Sequence, residues 1–142
     1  LAGAVAAVAA ARDKLGGDVL DDEEARAFWL SLREQTHVFF AGDAPLWRLS
    51  LPSVAAPLPL GPTLIEWGGA QRWLRVGDPA AIRAVVHDAH GHATLFRADP
   101  ALKAAVGVFQ PLNASLLRIH RELKRAFDPR GVFNPGRLYP EF

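Results

Sequence analysis

The chain has 142 residues, of which half are apolar and 22% are charged, and its mean hydropathy is +0.07. This balance is sufficient for a hydrophobic core and excludes an intrinsically disordered or collagen-like chain. The net charge is +1, from 16 Lys and Arg against 15 Asp and Glu, which disfavours a nucleic-acid-binding protein because such domains carry a clear basic excess. The lack of cysteine excludes disulfides, thiolate metal sites and a cysteine nucleophile.

Two helices are predicted in the first third of the chain. Residues 2–15 are rich in alanine, and the glycines at 16–17 end this helix because glycine readily adopts the left-handed conformation of a C-terminal cap. Residues 18–20 are long enough only for a short strand. Asp21 or Asp22 then caps a second helix. Its apolar residues recur at helical spacing and are Ala25, Phe28, Trp29 and Leu32.

The middle of the chain has the patterns of β-strands. A loop over residues 37–45 precedes residues 46–51, where side chains alternate with a period of two. Four prolines within residues 52–62 predict an extended connection that cannot pair as a central strand. Residues 63–67 and 71–76 are two further strands around a Gly-Gly pair, which is a hairpin signal.

A helix, a fourth strand and a long helix follow. Asp-Pro at 78–79 begins a helix that Gly91 ends, and residues 92–96 form the next strand. This order predicts an α+β fold, with an antiparallel sheet and helices packed on one face. Asn113 caps the last helix, and Asp-Pro at 128–129 ends it. The predicted apolar stripes are Ile82, Val85, Val86 and Ala89 in the first of these helices, and Leu116, Ile119, Leu123 and Phe127 in the last.

The sequence gives little support for a metal site or for a nucleotide-binding site. No glycine-rich phosphate loop occurs, so nothing in the sequence would hold a nucleotide diphosphate by itself. His87 and His90 lie three residues apart on one helix, but Gly91 breaks that helix before His92. Scattered histidines are therefore favoured over a metal site. His92 is a separate case, because it opens a strand and could point from the sheet face into a pocket.

Tryptophan and arginine supply the remaining candidates for binding. Core packing is the favoured role of the four tryptophans, and the alternative is that Trp67 or Trp73, flanked by Arg72 and Arg75, lines a planar ligand. Arg48 could bind a carboxylate through both prongs of its guanidinium. The alternative for Arg48 is an exposed strand residue paired with an acid across the sheet.

The stretch from residue 118 to residue 137 is basic. It contains six Lys or Arg residues and two acidic ones. Such a pattern is typical of the solvated face of a helix. The functional alternative is a cationic surface for an anionic cofactor or an acidic subunit.

Four sequence strings resemble a known family. Residues 127–137, FDPRGVFNPGR, resemble the closing motif of FAD-linked oxidases of the vanillyl-alcohol oxidase type. The strings LWRLS at 46–50, EWGGAQRW at 66–73 and GHATLFR at 91–97 are similar to the C-terminal half of the FAD-binding subunits of bacterial glycolate oxidases. The resemblance covers nearly the whole chain. The closing motif is widely shared, whereas EWGGAQRW is far more specific.

The resemblance implies a division of labour between two domains. In this family an N-terminal domain binds most of the FAD, and a C-terminal cap of ferredoxin-like character covers the flavin ring and shapes the substrate site. Residues 1–142 would then be a single cap domain from a longer chain, without the FAD-binding domain, which agrees with the missing initiator Met. We expect this part alone to be inactive. Its first eleven residues are too short to span a bilayer.

The resemblance also implies a reaction and the residues that serve it. It predicts an FAD-dependent oxidation of glycolate or a similar small 2-hydroxy acid, with hydride transfer to the flavin. Arg48 or Arg72 would bind the substrate carboxylate, and His92 would be the base for the hydroxyl proton. Cofactor contacts are expected from Asn134 and Arg137, which match the closing motif that lies near the flavin in relatives, and from Trp67.

Partner subunits are implied as well. Such chains work with a catalytic-type FAD subunit and an iron–sulfur subunit, in the cytoplasm or peripherally at the inner membrane through those partners. The histidine-rich metal motif of the catalytic-type subunit is absent here, which leaves open an electron-relay role without direct substrate oxidation. A non-catalytic scaffold that docks partner subunits is the second hypothesis, and a small-ligand sensor of ferredoxin-like fold is the third.

Overall fold

The computed structural model describes residues 4–75 and 77–142. These form two compact units, one ending at Ala41 and the other beginning at Gly42. Residues 2–3 of the predicted first helix and Val76 of the predicted third strand lie outside the described residues. No helix in the described ranges is long and apolar enough to cross a membrane.

The first unit contains helix α1 (Val5–Leu15) and helix α2 (Asp22–Arg33). The predicted C-terminal end of α1 and the predicted N-terminal end of α2 are confirmed. Gly16 caps α1, and the Asp21 carboxylate accepts the backbone N–H groups of Glu23 and Glu24 at 2.8 Å, while the Glu24 side chain accepts the N–H of Asp21. This reciprocal capping fixes where α2 begins.

One prediction in the first 41 residues is wrong, and a second needs a local addition. Residues 18–20 form no strand, because within this unit the described residues offer no second strand to pair with them. The predicted loop over residues 37–45 contains a 3-10 turn at Val38–Phe40, which the His37 ring begins by accepting the N–H of Phe39 at 3.2 Å.

The second unit is built on one antiparallel sheet, so the predicted α+β fold is confirmed. The strands lie in the order β2-β3-β1-β4. Helix α3 (Pro79–Asp88) connects β3 to β4, as in a ferredoxin-like βαββαβ arrangement. Residues 51–62 replace the other connecting helix, because their prolines cannot continue one. The strands are β1 (Leu46–Ser50), β2 (Thr63–Glu66), β3 (Gln71–Arg75) and β4 (His92–Arg97).

The core lies between one face of the sheet and α3. Trp47 and Leu49 alternate on β1 and are completely buried, and Ile82 and Val86 of α3 are 1% and 0% exposed. Burial of each such side chain stabilises the fold by about 1.5–3 kcal/mol. The other buried members of this core are Leu51, Leu74, Ala93 and Leu95.

The proline-rich segment is held down by the hairpin between β2 and β3. Arg72 is 4% exposed and donates hydrogen bonds to the carbonyls of Gly69 at 3.3 Å, Ala56 at 2.7 Å and Ala55. Gly69 has φ +99°, and a Cβ there would lie 2.5 Å from the Ser53 carbonyl oxygen. The string EWGGAQRW therefore contains the residues that fix this segment against the sheet.

Helix α4 (Pro100–Val106) was not predicted from the sequence. Its signal was present, because Asp99 precedes a proline and accepts the N–H of Leu102 at 2.9 Å, as Asp78 does for α3. Arg83 of α3 fixes the end of α4 by donating to the Val106 carbonyl at 2.6 Å and to the next carbonyl along the chain at 2.7 Å.

Helix α5 (Ala114–Phe127) begins at the Asn113 cap and ends at Asp128, as predicted. The predicted apolar stripe exists, but the second unit does not bury it. Its four residues, Leu116, Ile119, Leu123 and Phe127, are 43%, 45%, 51% and 83% exposed.

Candidate functional site

The free face of the sheet, opposite the core, brings together two of the predicted site residues. Arg48 lies between the core residues of β1 and therefore points to the other face. Ser50 lies on the same side of β1, and His92 of β4 pairs directly with it. Paired residues of antiparallel strands share a face, so Arg48 and His92 share the free face.

The side chain of Arg48 makes no hydrogen bond or ion pair with any described residue. It is half-buried, and its direct neighbours across the strands are Trp73 on β3 and Thr94 on β4. Neither neighbour is acidic, which disagrees with the alternative of a cross-strand ion pair. The guanidinium is thus left with donors that a carboxylate could accept in the two-pronged geometry.

His92 lies at the start of β4 and is exposed to solvent. It stands at the end of a polar row that runs across the sheet through Ser50 and Gln71 to Glu66. The structure therefore places it beside Arg48, at an open edge of the face.

Sequence reasoning missed the polar cluster around Glu66. Its carboxylate accepts the indole N–H of Trp73 at 2.5 Å and the side-chain amide of Gln71 at 3.0 Å. Trp73 is only 4% exposed, and its ring meets Phe96 edge to face with centroids 5.0 Å apart. Trp73 thus packs as a wall beside Arg48, as the core-packing interpretation predicted. The period-two pattern of the strands could have placed Glu66 on this face.

Arg72 and Trp67 are not brought to Arg48. Arg72 points to the opposite face, where three backbone carbonyls already accept its hydrogen bonds. A substrate carboxylate would compete with those contacts. Trp67 lies at the hairpin turn with φ +52° and is 76% exposed, so its indole is free to meet a ligand or another surface.

The closing motif is organised around Asp128, which is 6% exposed. Its carboxylate accepts the backbone N–H groups of Val132 at 3.0 Å and Phe133 at 2.9 Å, and the Lys124 ammonium at 2.7 Å. The bond from Lys124 and the bonds from the two amides lower the pKa of Asp128 to about 2, against the partial desolvation that would raise it. Lys124 also donates to the Phe133 carbonyl.

The two predicted cofactor residues of the closing motif lie in one tight turn. The N–H of Arg137 donates to the Asn134 carbonyl at 3.2 Å, with Pro135 in the second position and Gly136 in the third. Gly136 has φ +66°, which a type II turn requires at that position and which glycine tolerates. Asn134 itself has φ +46°. The turn therefore fixes Asn134 and Arg137 at its two ends.

A cavity of about 680 Å³ opens beside this turn. Lys124, Asn134 and Arg137 contribute its polar and cationic lining. Phe109, one of its apolar walls, bridges to Thr94 of β4, so the cavity adjoins the edge of the sheet. The lining suits a ligand that combines an aromatic or apolar part with negative charge.

The histidines do not form a metal site in the part of the chain that the structure describes. No group of three His, Asp or Glu side chains there could hold a metal ion. His87 lies 3.6 Å from Asp88, and His90 follows α3 in the left-handed conformation with φ +58°. His92 belongs to the sheet face.

Comparison with known proteins gives one significant relative. No protein-family model matches the chain, and no solved structure matches it. The chain is 47% identical over 143 aligned positions to the glycolate oxidase subunit GlcE of Escherichia coli (strain K12). The alignment covers 99% of this chain and 38% of that subunit, so the chain spans little more than a third of the relative's length. The resemblance that the four strings predicted is therefore confirmed: the chain is similar to part of a glycolate oxidase subunit.

Proposed function

We propose that this chain is the cap part of an FAD-dependent oxidoreductase subunit that oxidises glycolate or a similar small 2-hydroxy acid to the 2-oxo acid. The observation that carries the proposal is the 47% identity to a glycolate oxidase subunit along 99% of the chain. The free sheet face supports it, because the Arg48 side chain there makes no hydrogen bond or ion pair with the described residues, and a carboxylate is its natural ligand.

The residues at the closing turn fit a contact with the edge of a flavin cofactor. Aromatic walls and the cationic side chains of Lys124 and Arg137 line the 680 Å³ cavity. The sequence has no glycine-rich phosphate loop, so we infer that most of the FAD is held outside this chain. When bound, the flavin would supply the two-electron acceptor for the hydride from the substrate's α-carbon.

On the free face, Arg48 and His92 would orient the substrate. Arg48 would donate hydrogen bonds to the carboxylate, and His92 would take the hydroxyl proton as the carbon–hydrogen bond breaks. The two residues are diagonal neighbours across β1 and β4, and the points where such side chains leave the backbone are about 7–8 Å apart. A molecule with its carboxylate and hydroxyl on adjacent carbons can bridge that gap. Both residues need a cover that excludes water, which the FAD-binding part of the subunit would provide.

The proposal is tested on the complete subunit purified with its partner subunits, a catalytic-type FAD subunit and an iron–sulfur subunit. The visible flavin spectrum is recorded without oxygen before and after glycolate is added. Bleaching that an electron acceptor reverses supports the proposal. Bound flavin that neither glycolate nor a homologous short 2-hydroxy acid reduces would contradict the catalytic role and favour an electron relay.

Arg48 and His92 are tested in the same complex. We expect Arg48→Ala to lower kcat/KM by about 10–100-fold, because a charge-assisted hydrogen bond contributes about 1.5–3 kcal/mol. Arg48→Lys should lower kcat/KM by a smaller factor than Arg48→Ala. His92→Asn should lower kcat. Arg26→Ala, on exposed helix α2, is the matched control. Unchanged kcat/KM in both site variants would contradict their assigned roles.

A docking scaffold is the second candidate, and one observation favours it. The apolar stripe of α5 is exposed, and so are Val132 and Phe133 in the following loop, at 57% and 64%; the described residues do not bury these apolar side chains. Co-purification of the partner subunits with a flavin-free complete subunit would support the scaffold. Dependence of that association on flavin would favour the oxidoreductase.

A further inference from the structure

Lys124 and Asp128 form a clamp that spans from the last helix to the closing turn. The Lys124 ammonium donates to two acceptors on the loop, the Asp128 carboxylate and the Phe133 carbonyl. The Asp128 carboxylate accepts the next two donors, the N–H groups of Val132 and Phe133. Four hydrogen bonds therefore converge on a loop of six residues between α5 and Asn134.

The clamp fixes the residue that immediately precedes the turn. Both backbone polar groups of Phe133 are held, since its N–H donates to Asp128 and its carbonyl accepts from Lys124. The Phe133 carbonyl belongs to the peptide group whose nitrogen is that of Asn134. The left-handed backbone of Asn134, with φ +46°, begins at that fixed peptide. Asparagine adopts this conformation more readily than other residues with a side chain, and the fixed peptide sets where it does so.

The burial of the two charged groups shows that the clamp is built into the fold. The side chains of Lys124 and Asp128 are 23% and 5% exposed, whereas the members of the surface pairs Arg12–Asp13 and Arg33–Glu34 are 55–74% exposed. A partly buried pair with additional hydrogen bonds is more rigid than a surface pair, which contributes little. Lys124 also lines the 680 Å³ cavity, so the clamp and the proposed cofactor contact share a wall.

We infer that Lys124 and Asp128 are positioning residues that hold the Asn134–Arg137 turn in the conformation that meets the flavin cofactor. This inference rests on the proposed function. It assigns to Asp128, the Asp of the closing motif, an indirect role, which is to fix the turn that meets the cofactor. Without the clamp, the turn itself can still form, because Pro135 and Gly136 favour it, but its placement beside the cavity is no longer fixed.

The test compares Lys124→Met, Lys124→Arg and Asp128→Asn in the complete subunit, with Arg125→Met on the same helix as the control. The first readout needs no flavin: amide hydrogen exchange at Val132 and Phe133. We expect protection to fall about tenfold or more in Lys124→Met and Asp128→Asn. Lys124→Arg should recover it, since guanidinium can also donate to both acceptors. Arg125→Met should leave it unchanged, because the Arg125 side chain is exposed and makes no hydrogen bond or ion pair with the described residues.

The second readout is the dissociation constant of FAD and the reduction potential of the bound flavin. We expect FAD affinity to fall about tenfold in Lys124→Met, with a shift of the potential, and to recover in Lys124→Arg. Loss of amide protection with wild-type affinity and potential would overturn the positioning role while leaving the proposed function intact. Equal loss in Arg125→Met would overturn it in favour of a general charge effect. Failure of the unaltered subunit to bind FAD would overturn the proposed function and the positioning role together.

Discussion

The sheet with α3 and the closing region with α5 are held together by different forces. Between sheet and helix, eight buried side chains form one apolar cluster. Helix α5 has no buried residue, and the loop after it is organised by the carboxylate of Asp128 and the ammonium of Lys124. The first region gains its stability from non-directional burial, and the second gains a defined geometry from directional hydrogen bonds.

This difference shows where function can reside. A closely packed apolar layer keeps its shape without help and supplies a rigid platform for Arg48 on its other face. In the closing region, four apolar side chains of α5 are exposed, and the polar groups of Lys124 and Asp128 form hydrogen bonds with the loop before one turn. We therefore expect the sheet to determine the stability of the isolated chain and the closing region to determine what the chain binds.

The largest loss of stability is expected in the apolar layer. Leu49→Ala removes a completely buried side chain between the sheet and α3 and should lower the free energy of unfolding by about 2–5 kcal/mol. Urea denaturation measures the change. Ile65→Ala, at a strand position that is 56% exposed, is the control and should cost less than about 1 kcal/mol. Equal losses at both positions would contradict a core that is concentrated between β1 and α3.

The second largest effect separates the two arginines that the sequence treated as equivalent. Arg72→Met leaves three carbonyls without their donor and should lower the free energy of unfolding by about 2–3 kcal/mol. Arg48→Met removes no side-chain hydrogen bond or ion pair with the described residues and should leave stability within about 0.5 kcal/mol. Thermal unfolding of both variants checks this. A destabilised Arg48→Met with a stable Arg72→Met would reverse the assignment of structural and binding roles.

The two arginines also show how far the sequence predicts this molecule. Strand periodicity predicted the four strands close to their observed bounds. Helix-end signals, the Asp-Pro pairs and Asn113, did the same for α3 and α5, because these signals are local. The same periodicity places Arg48 and Arg72 on opposite faces, but it does not tell which face the core occupies. That depends on where α3 packs, and two of the three carbonyls that Arg72 binds belong to a segment sixteen or more residues away. Long-range contacts of this kind leave no local pattern.

The closing motif gives the converse case. Its resemblance to a family pointed to Asn134 and Arg137, and the structure places both at one turn beside a cavity. The role of Asp128 as the acceptor of three donors was not predicted, since the motif was interpreted through its turn residues. An Asp that ends a helix and precedes a loop with free N–H groups is a signal that could have indicated it.

A smaller effect, dependent on pH, is expected from Asp128. Its pKa is lowered from the ordinary 3.8 to about 2, so the folded state favours the ionised carboxylate more than the unfolded chain does. The resulting stabilisation is complete above about pH 5 and is lost as the pH falls through 4 and towards 2. Asp128→Asn should therefore be less stable than wild type at pH 6, and the difference should shrink by pH 2.5. Denaturation curves at both pH values, with the exposed Asp88→Asn as control, measure it. A difference that does not vary with pH would contradict the charged clamp.

The smallest effect on the isolated chain is expected in the stripe of α5, and it completes the comparison. Leu123 is 51% exposed, so Leu123→Ala removes little buried area and should change the free energy of unfolding by about 0.5 kcal/mol or less. The same substitution in the complete subunit with its partners should cost more, because there we expect another surface to cover the stripe and bury the leucine. Chemical denaturation of the isolated chain and of the assembled protein gives the two values. Equal small losses in both would mean that the stripe stays exposed in the assembly, whereas a loss that appears only in the assembly would identify α5 as the element through which this chain is held.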